Sequence, residues 1–169
     1  FVPAELFERF AGVSERLLER VEAIFAEVGP LGSVRLHGDC HLGNLLWQDS
    51  RPFFLDFDDL LSGPAVQDVW MVMRGRDSEA VRQRELLIAE SAVNQAKMRA
   101  FDRRTLRLIE PLRGLRLIHY ASWVARRFAD PIFPRTFPHF PTTQHWVDEL
   151  AALQETLACI DDEPSWQRE

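Results

Sequence analysis

The spacing of apolar residues changes twice along this chain, and those changes restrict it to a helix-rich α+β fold with one small sheet. Leu6, Phe10, Val13, Leu17, Val21, Ile24 and Val28 recur at steps of three and four, the stripe of a helix over 5–28. Pro3 suits its first turn, and Gly29-Pro30 ends it. Segment 33–36 predicts a short strand entering a loop. Apolar runs 45–47 and 53–57 then flank Gln48-Asp49-Ser50-Arg51-Pro52, the pattern of a β-hairpin with a polar turn. Ser62-Gly63-Pro64 reads as a breaker. From Val66 the helical period returns, with helices expected over 66–74, 78–98, 102–129 and 143–160. Pro111 should kink or split the third of these, with Glu110 pushed out of helical geometry. Prolines 131, 134, 138 and 141 argue against any regular structure in 130–141. Trp146, Leu150, Leu153, Leu157 and Ile160 form a narrow stripe for a closing helix. No internal repeat or low-complexity tract interrupts this layout.

A chain of 169 residues can bury one substantial core. Its 46% hydrophobic content excludes a disordered class. No apolar run approaches the ~18 residues a bilayer span needs, and the acidic, amphipathic start lacks a signal-peptide pattern. No membrane partner is therefore expected, and none of nucleic-acid type. Cys40 and Cys159 lie far apart, which suggests a reducing, cytoplasmic compartment rather than a disulfide framework. The first residue is Phe1, not Met, so the chain reads as a fragment. Net charge is −6, but residues 74–135 hold 14 Arg and Lys against 7 Asp and Glu. Such a basic middle either meets an acidic substrate or phosphate, or forms solvated helix faces; the second is favoured. Its lone lysine is Lys97. The sequence does not specify an oligomeric state.

Chemistry is concentrated in His37-Gly38-Asp39-Cys40-His41-Leu42-Gly43-Asn44, followed by the hairpin and Asp56-Phe57-Asp58-Asp59. Carboxylates beside short apolar strands are costly without partners or a metal. Magnesium takes oxygen ligands, often one or two carboxylates plus substrate phosphates. The two ends of a hairpin can supply them: Asn44 precedes the first strand, Asp56 closes the second, and Asp39 lies five residues before Asn44.

The pattern H-G-D-x-H-x-x-N, then a hairpin and D-F-D, resembles the aminoglycoside-phosphotransferase and choline-kinase-like superfamily, itself similar to protein kinases. Gly63-Pro64-Ala65-Val66-Gln67-Asp68-Val69-Trp70, His119 to Arg127 and the Phe/Pro segment 131–141 look like the bacterial stress-response kinase A group within it. The similarity runs from about residue 31 to 160. It implies the C-terminal lobe of a kinase-like fold, with the small hairpin carrying the catalytic and metal residues. The implied reaction is transfer of the ATP γ-phosphoryl, with Mg2+, to Ser or Thr of a protein substrate. The alternative acceptor is a small-molecule alcohol of aminoglycoside, choline or homoserine type. A non-catalytic pseudokinase or binding module is the reading from another class.

By that resemblance Asp39 is the catalytic base, and Asn44 and Asp56 hold magnesium. Asp58 either touches the metal through water or organises the loop. Asp68 either braces the catalytic loop by accepting backbone N–H bonds, as in kinases, or adds charge at a helix N-terminus. His37 and His41 read as architectural, with substrate or phosphate contact a lesser option for His41. Cys40 reads as a packing residue, because an acidic loop does not activate a thiol. The aromatics around Tyr120, Trp123 and Trp146 are expected to pack the helices rather than line an acceptor pocket. Gly38 and the short segment between Asp56 and Pro64 imply no activation-loop phosphoswitch. A phosphate-covering glycine-rich loop and the strand lysine of such kinases are not found, and Lys97 lies downstream on an expected helix. The fragment alone is therefore expected to be inactive.

Overall fold

The computed structural model describes residues 1–93 and 101–162. In chain order its elements are α1 (Ala4–Val28), β1 (Val34–Leu36), β2 (Leu45–Gln48), β3 (Arg51–Phe54), β4 (Leu61–Gly63), α2 (Val66–Val72), α3 (Ser78–Val93), α4 (Ile109–Arg127), α5 (Ile132–Thr136) and α6 (Thr143–Asp161). Short 3-10 turns cover Leu42–Asn44 and Arg103–Leu108. The fold is mostly helical α+β, with two small antiparallel ribbons where the sequence suggested one sheet. Residues 94–98 of the helix expected over 78–98, including Lys97, lie outside the described residues. Among the described residues no helix is long and apolar enough to cross a membrane. The chain forms two compact units, Phe1–Glu27 with Glu110–Glu169, and Val28–Ile109.

In the first unit the α1 stripe buries as its period requires. Leu17 and Val21 pack with Leu153 of α6, lined by Phe10, Val13, Leu115 and Ile118. Gly114 makes the approach of α4 possible, since a Cβ there would come within 2.7 Å of the Leu17 side chain. A second cluster joins Val124, Phe140 and Trp146, with Trp123, Phe133 and Phe137 around it. The aromatic residues thus mostly pack one another, and Tyr120 stacks on Trp123 at the exposed edge.

Two sequence expectations fail here. Glu110 is not pushed out of helical geometry: it is the second residue of α4. Pro111 is the third, where first-turn N–H groups have no intrahelical acceptor, so its missing donor costs nothing. The stretch is split into the Arg103–Leu108 turn and α4, with Pro111 in the first turn of the latter. Segment 130–141 does contain regular structure, the single-turn helix α5. Pro134 is tolerated for the same first-turn reason.

The second unit holds the ribbons. In the first, Val34 pairs with Gly63 and Leu36 with Leu61, so the breaker at 62–63 is partly strand. In the second, Leu45 pairs with Phe54 and Gln48 with Arg51. The turn is therefore two residues long, not five. Asp49 and Ser50 both adopt left-handed φ (48° and 63°), the geometry of a tight hairpin. Pro52 opposite Trp47 falls at the non-hydrogen-bonded alternate pair, where its missing N–H is not needed. The hairpin side chains Leu46, Trp47, Phe53 and Phe54 are exposed.

The basic middle of the chain is largely consumed locally. Buried Arg84 of α3 donates to the carbonyls of Met73 and Gly75 at 2.9 and 2.8 Å, capping the end of α2. Arg82, Arg103, Arg104 and Arg113 pair with Glu79, Glu85, Asp102 and Glu110.

Candidate active site

Strand β1 delivers the chain into the loop that carries His37, Gly38 and Asp39, and that loop is fastened from below by Asp68. One carboxylate oxygen of Asp68 accepts from the His37 N–H at 2.8 Å and the other from the Gly38 N–H at 3.0 Å. Asp68 stands in the first turn of α2, so a helix 30 residues downstream fixes two consecutive amides of the loop. Next to it, Gln67 donates to the Gly38 carbonyl at 3.4 Å and accepts from Trp70 Nε1 at 3.2 Å. Gly38 has φ +86°, and a Cβ there would fall onto the Asp59 carbonyl oxygen. Only glycine combines that backbone with that approach.

The His37 ring is buried. Its Nε2 donates to the Leu55 carbonyl at 2.8 Å, which fixes the proton on Nε2. The ring packs against Phe57 at 4.8 Å between centroids. His37 therefore ties its own loop to the segment entering Asp56. Cys40 is buried, and burial, then the Asp68 and Asp39 carboxylates, push its thiol up to about 11. A thiol so shifted is not a nucleophile near neutrality.

Asp39 is half-buried. Asn44, at the end of the Leu42–Asn44 turn, donates its amide Nδ2 to the Asp39 carbonyl at 3.0 Å and to Asp39 Oδ2 at 3.4 Å. His41 caps the start of that turn: its Nδ1 accepts from the Gly43 N–H at 2.9 Å, and its Nε2 lies 3.5 Å from Asp39 Oδ2. The structure thus brings Asp39, His41 and Asn44 together. The Leu55 N–H donates to the Asn44 carbonyl at 2.9 Å, so the hairpin's open end sets Asn44 across from Leu55, next to Asp56. Asp56 is exposed and takes φ +58°, an unfavourable backbone for a residue other than glycine, of the kind found where a side chain must point in a set direction. Asp58 and Asp59 are exposed in the turn closed by the Leu60 N–H to Phe57 carbonyl bond.

The donor chemistry fits magnesium. With Asn44 Nδ2 spent on Asp39, its amide oxygen is the branch left for a cation, and Asp56 offers a carboxylate. Both are hard oxygen donors, and magnesium bound with substrate phosphates takes one or two such protein ligands. Among the described residues no three His, Cys, Asp or Glu side chains converge as a metal cluster.

Sequence reasoning did not single out Gln67, Gly43 or the Leu55 carbonyl. Gln67 sits beside Asp68 in sequence, but its task depends on a loop 29 residues away. Gly43 was visible within the motif, and its need becomes clear only when the His41 ring folds over it.

A family model described as "Phosphotransferase enzyme family" matches residues 2–109. Stress response kinase A of Escherichia coli K12 is 38% identical over 163 residues, covering 96% of this chain and 48% of the relative. Serine/threonine protein kinase RdoA of Salmonella typhimurium is 36% identical over 174 residues, covering 97% and 51%. The chain spans about half the length of the curated relatives it matches.

Proposed function

Because the chain belongs to the phosphotransferase enzyme family, we propose that it carries the catalytic loop of an ATP-dependent kinase acting on Ser or Thr hydroxyls of proteins. The observation that carries this reading is the Asp39 carboxylate, bonded by Asn44 with His41 Nε2 3.5 Å away, on a loop clamped by Asp68 and followed by the strained Asp56. The protein acceptor rests on relatives named as a stress response kinase and a serine/threonine protein kinase.

In this mechanism Asp39 accepts the proton of the acceptor hydroxyl as the oxygen attacks the γ-phosphorus and the bond from that phosphorus to the β–γ bridging oxygen breaks, releasing ADP. Asn44 orients Asp39 through Nδ2 and offers its amide oxygen, with the Asp56 carboxylate, to Mg2+. Magnesium bound with the nucleotide would neutralise charge on the phosphates. Asp68 and His37 hold the loop against the Asp56 segment, so that base and ligands keep their spacing. Asp58 serves the loop or a metal-bound water. On this reading residues 1–169 form the C-terminal lobe, and the phosphate-clamping lobe with its lysine lies outside them. The exposed apolar hairpin supports that arrangement. The 169 residues alone are then inactive.

The test is transfer from radiolabelled ATP by the full-length protein with magnesium. One arm supplies a generic protein acceptor; the other supplies choline, homoserine and an aminoglycoside. Label on protein Ser or Thr is expected. Label on the small alcohols alone would favour the small-molecule reading, and no transfer in either arm would sink the kinase reading. Asp39→Ala should lower kcat by about 10²–10⁴, and turnover within a factor of two of wild type would remove Asp39 as the base.

A further inference from the structure

We propose that His41 is a positioning residue for phosphoryl transfer: its Nε2–H holds the Asp39 carboxylate in the rotamer that meets the acceptor hydroxyl. The proposal rests on Asp39 being the base. Its starting observation is the tautomer. His41 Nδ1 accepts from the Gly43 N–H at 2.9 Å, so the ring's proton sits on Nε2. That Nε2 lies 3.5 Å from Asp39 Oδ2, which Asn44 Nδ2 approaches at 3.4 Å. The two donors come from the two ends of one 3-10 turn, His41 as its cap and Asn44 as its last residue. Rotation of the Asp39 carboxylate would break the Asn44 bond and carry Oδ2 away from His41 Nε2.

The ring lies close over the backbone of Gly43. Gly43 lies against it, and a Cβ on Gly43 would come within 2.7 Å of His41 Cε1 and 2.9 Å of Nδ1. Ordinary carbon contacts are ~3.5–4.0 Å, so any side chain at 43 must displace the ring. Gly43 itself has no left-handed φ, so the demand for glycine here comes from the His41 ring and not from the backbone. Two residues are thus arranged around one object, the direction of the Nε2–H bond.

This arrangement supplies a coupled test in the full-length protein. His41→Asn places an amide oxygen near the Nδ1 position, so the cap on Gly43 survives while the reach to Asp39 is lost. Gly43→Ala leaves His41 in place but pushes its ring aside. Each is expected to lower kcat about 10-fold or more, because small misplacements of a catalytic group cost that much or more. The KM for ATP and the magnesium dependence should stay within about twofold. His41→Gln, whose longer amide can return a donor to Asp39, should recover part of the loss. The double variant should be no slower than His41→Asn alone, since the clash has no ring left to act on.

With Asp39→Ala inactive, a kcat within twofold of wild type for His41→Asn overturns the proposal. So does a double variant that multiplies the two losses. If His41→Asn fails to fold by circular dichroism, Gly43→Ala carries the test, and an unchanged kcat there overturns it equally. An active Asp39→Ala instead removes the base on which the proposal stands, and so separates the two failures.

Discussion

Removing the Asp68 carboxylate should loosen the candidate catalytic loop before it affects anything else. Asp68 accepts from two consecutive amides, His37 N and Gly38 N, at 2.8 and 3.0 Å, and both of those residues are buried. A buried donor left without a partner costs ~1–3 kcal/mol, and bonds to a charged acceptor lie towards the upper part of that range. Asp68→Ala strands two such donors. Because Asp68 is only half-buried, water reaches part of the space, which places the loss at about 2–4 kcal/mol. Asp68→Asn keeps one acceptor oxygen and turns an amide N–H towards the other donor, so roughly half of that loss is expected. At about 1.4 kcal/mol per tenfold, the alanine variant should speed hydrogen exchange at the His37 and Gly38 amides at least ~30-fold. Amides in the middle of α6, in the other compact unit, should change far less. Exchange measured by NMR or mass spectrometry reads this directly, and the full-length protein should lose kcat in the same order, wild type above Asn above Ala. Unchanged exchange at His37 and Gly38 in Asp68→Ala would refute the reasoning, because the two hydrogen bonds would then not be holding the loop.

Asp56→Ala should weaken magnesium-dependent nucleotide binding more than Asn44→Ala does, because Asp56 contributes a charge and Asn44 only a dipole; calorimetry of nucleotide binding across a magnesium series checks this, and an unaltered magnesium dependence in Asp56→Ala counts against the ligand role. Cys40, with its thiol pushed up to about 11, should resist iodoacetamide at pH 8 in the native protein and react once denatured. Its thiolate fraction grows only as pH climbs towards 11, so rapid native labelling at pH 8, mapped by peptide mass spectrometry, would contradict the burial argument.

The helices and the hairpin were legible because each is written in neighbouring residues. A stripe at steps of three and four specifies α1, and the stripe from Trp146 to Ile160 specifies α6, whatever they pack against. The order of Asp39, Asn44, hairpin and Asp56 was likewise readable, since a hairpin brings its two ends together by construction. The misreadings at Glu110 and in 130–141 were local too: proline was counted as a breaker where it stands in a first turn and forfeits nothing. What the sequence alone did not determine are the contacts made between distant residues. That β4 pairs with β1 and that Arg84 caps α2 depend on segments 9 to 29 positions apart meeting in space, and the brace that the resemblance implied for Asp68 takes its definite form, one oxygen to each of the His37 and Gly38 amides, only there. The demand for glycine at 43 differs in being set by a near neighbour: the ring of His41, two residues earlier and capping the same turn, lies where a methyl group would be. Periodicity fixes which face of a segment is apolar; only the folded chain decides which donor meets which acceptor, because hydrogen bonds are short and directional while the hydrophobic effect is neither.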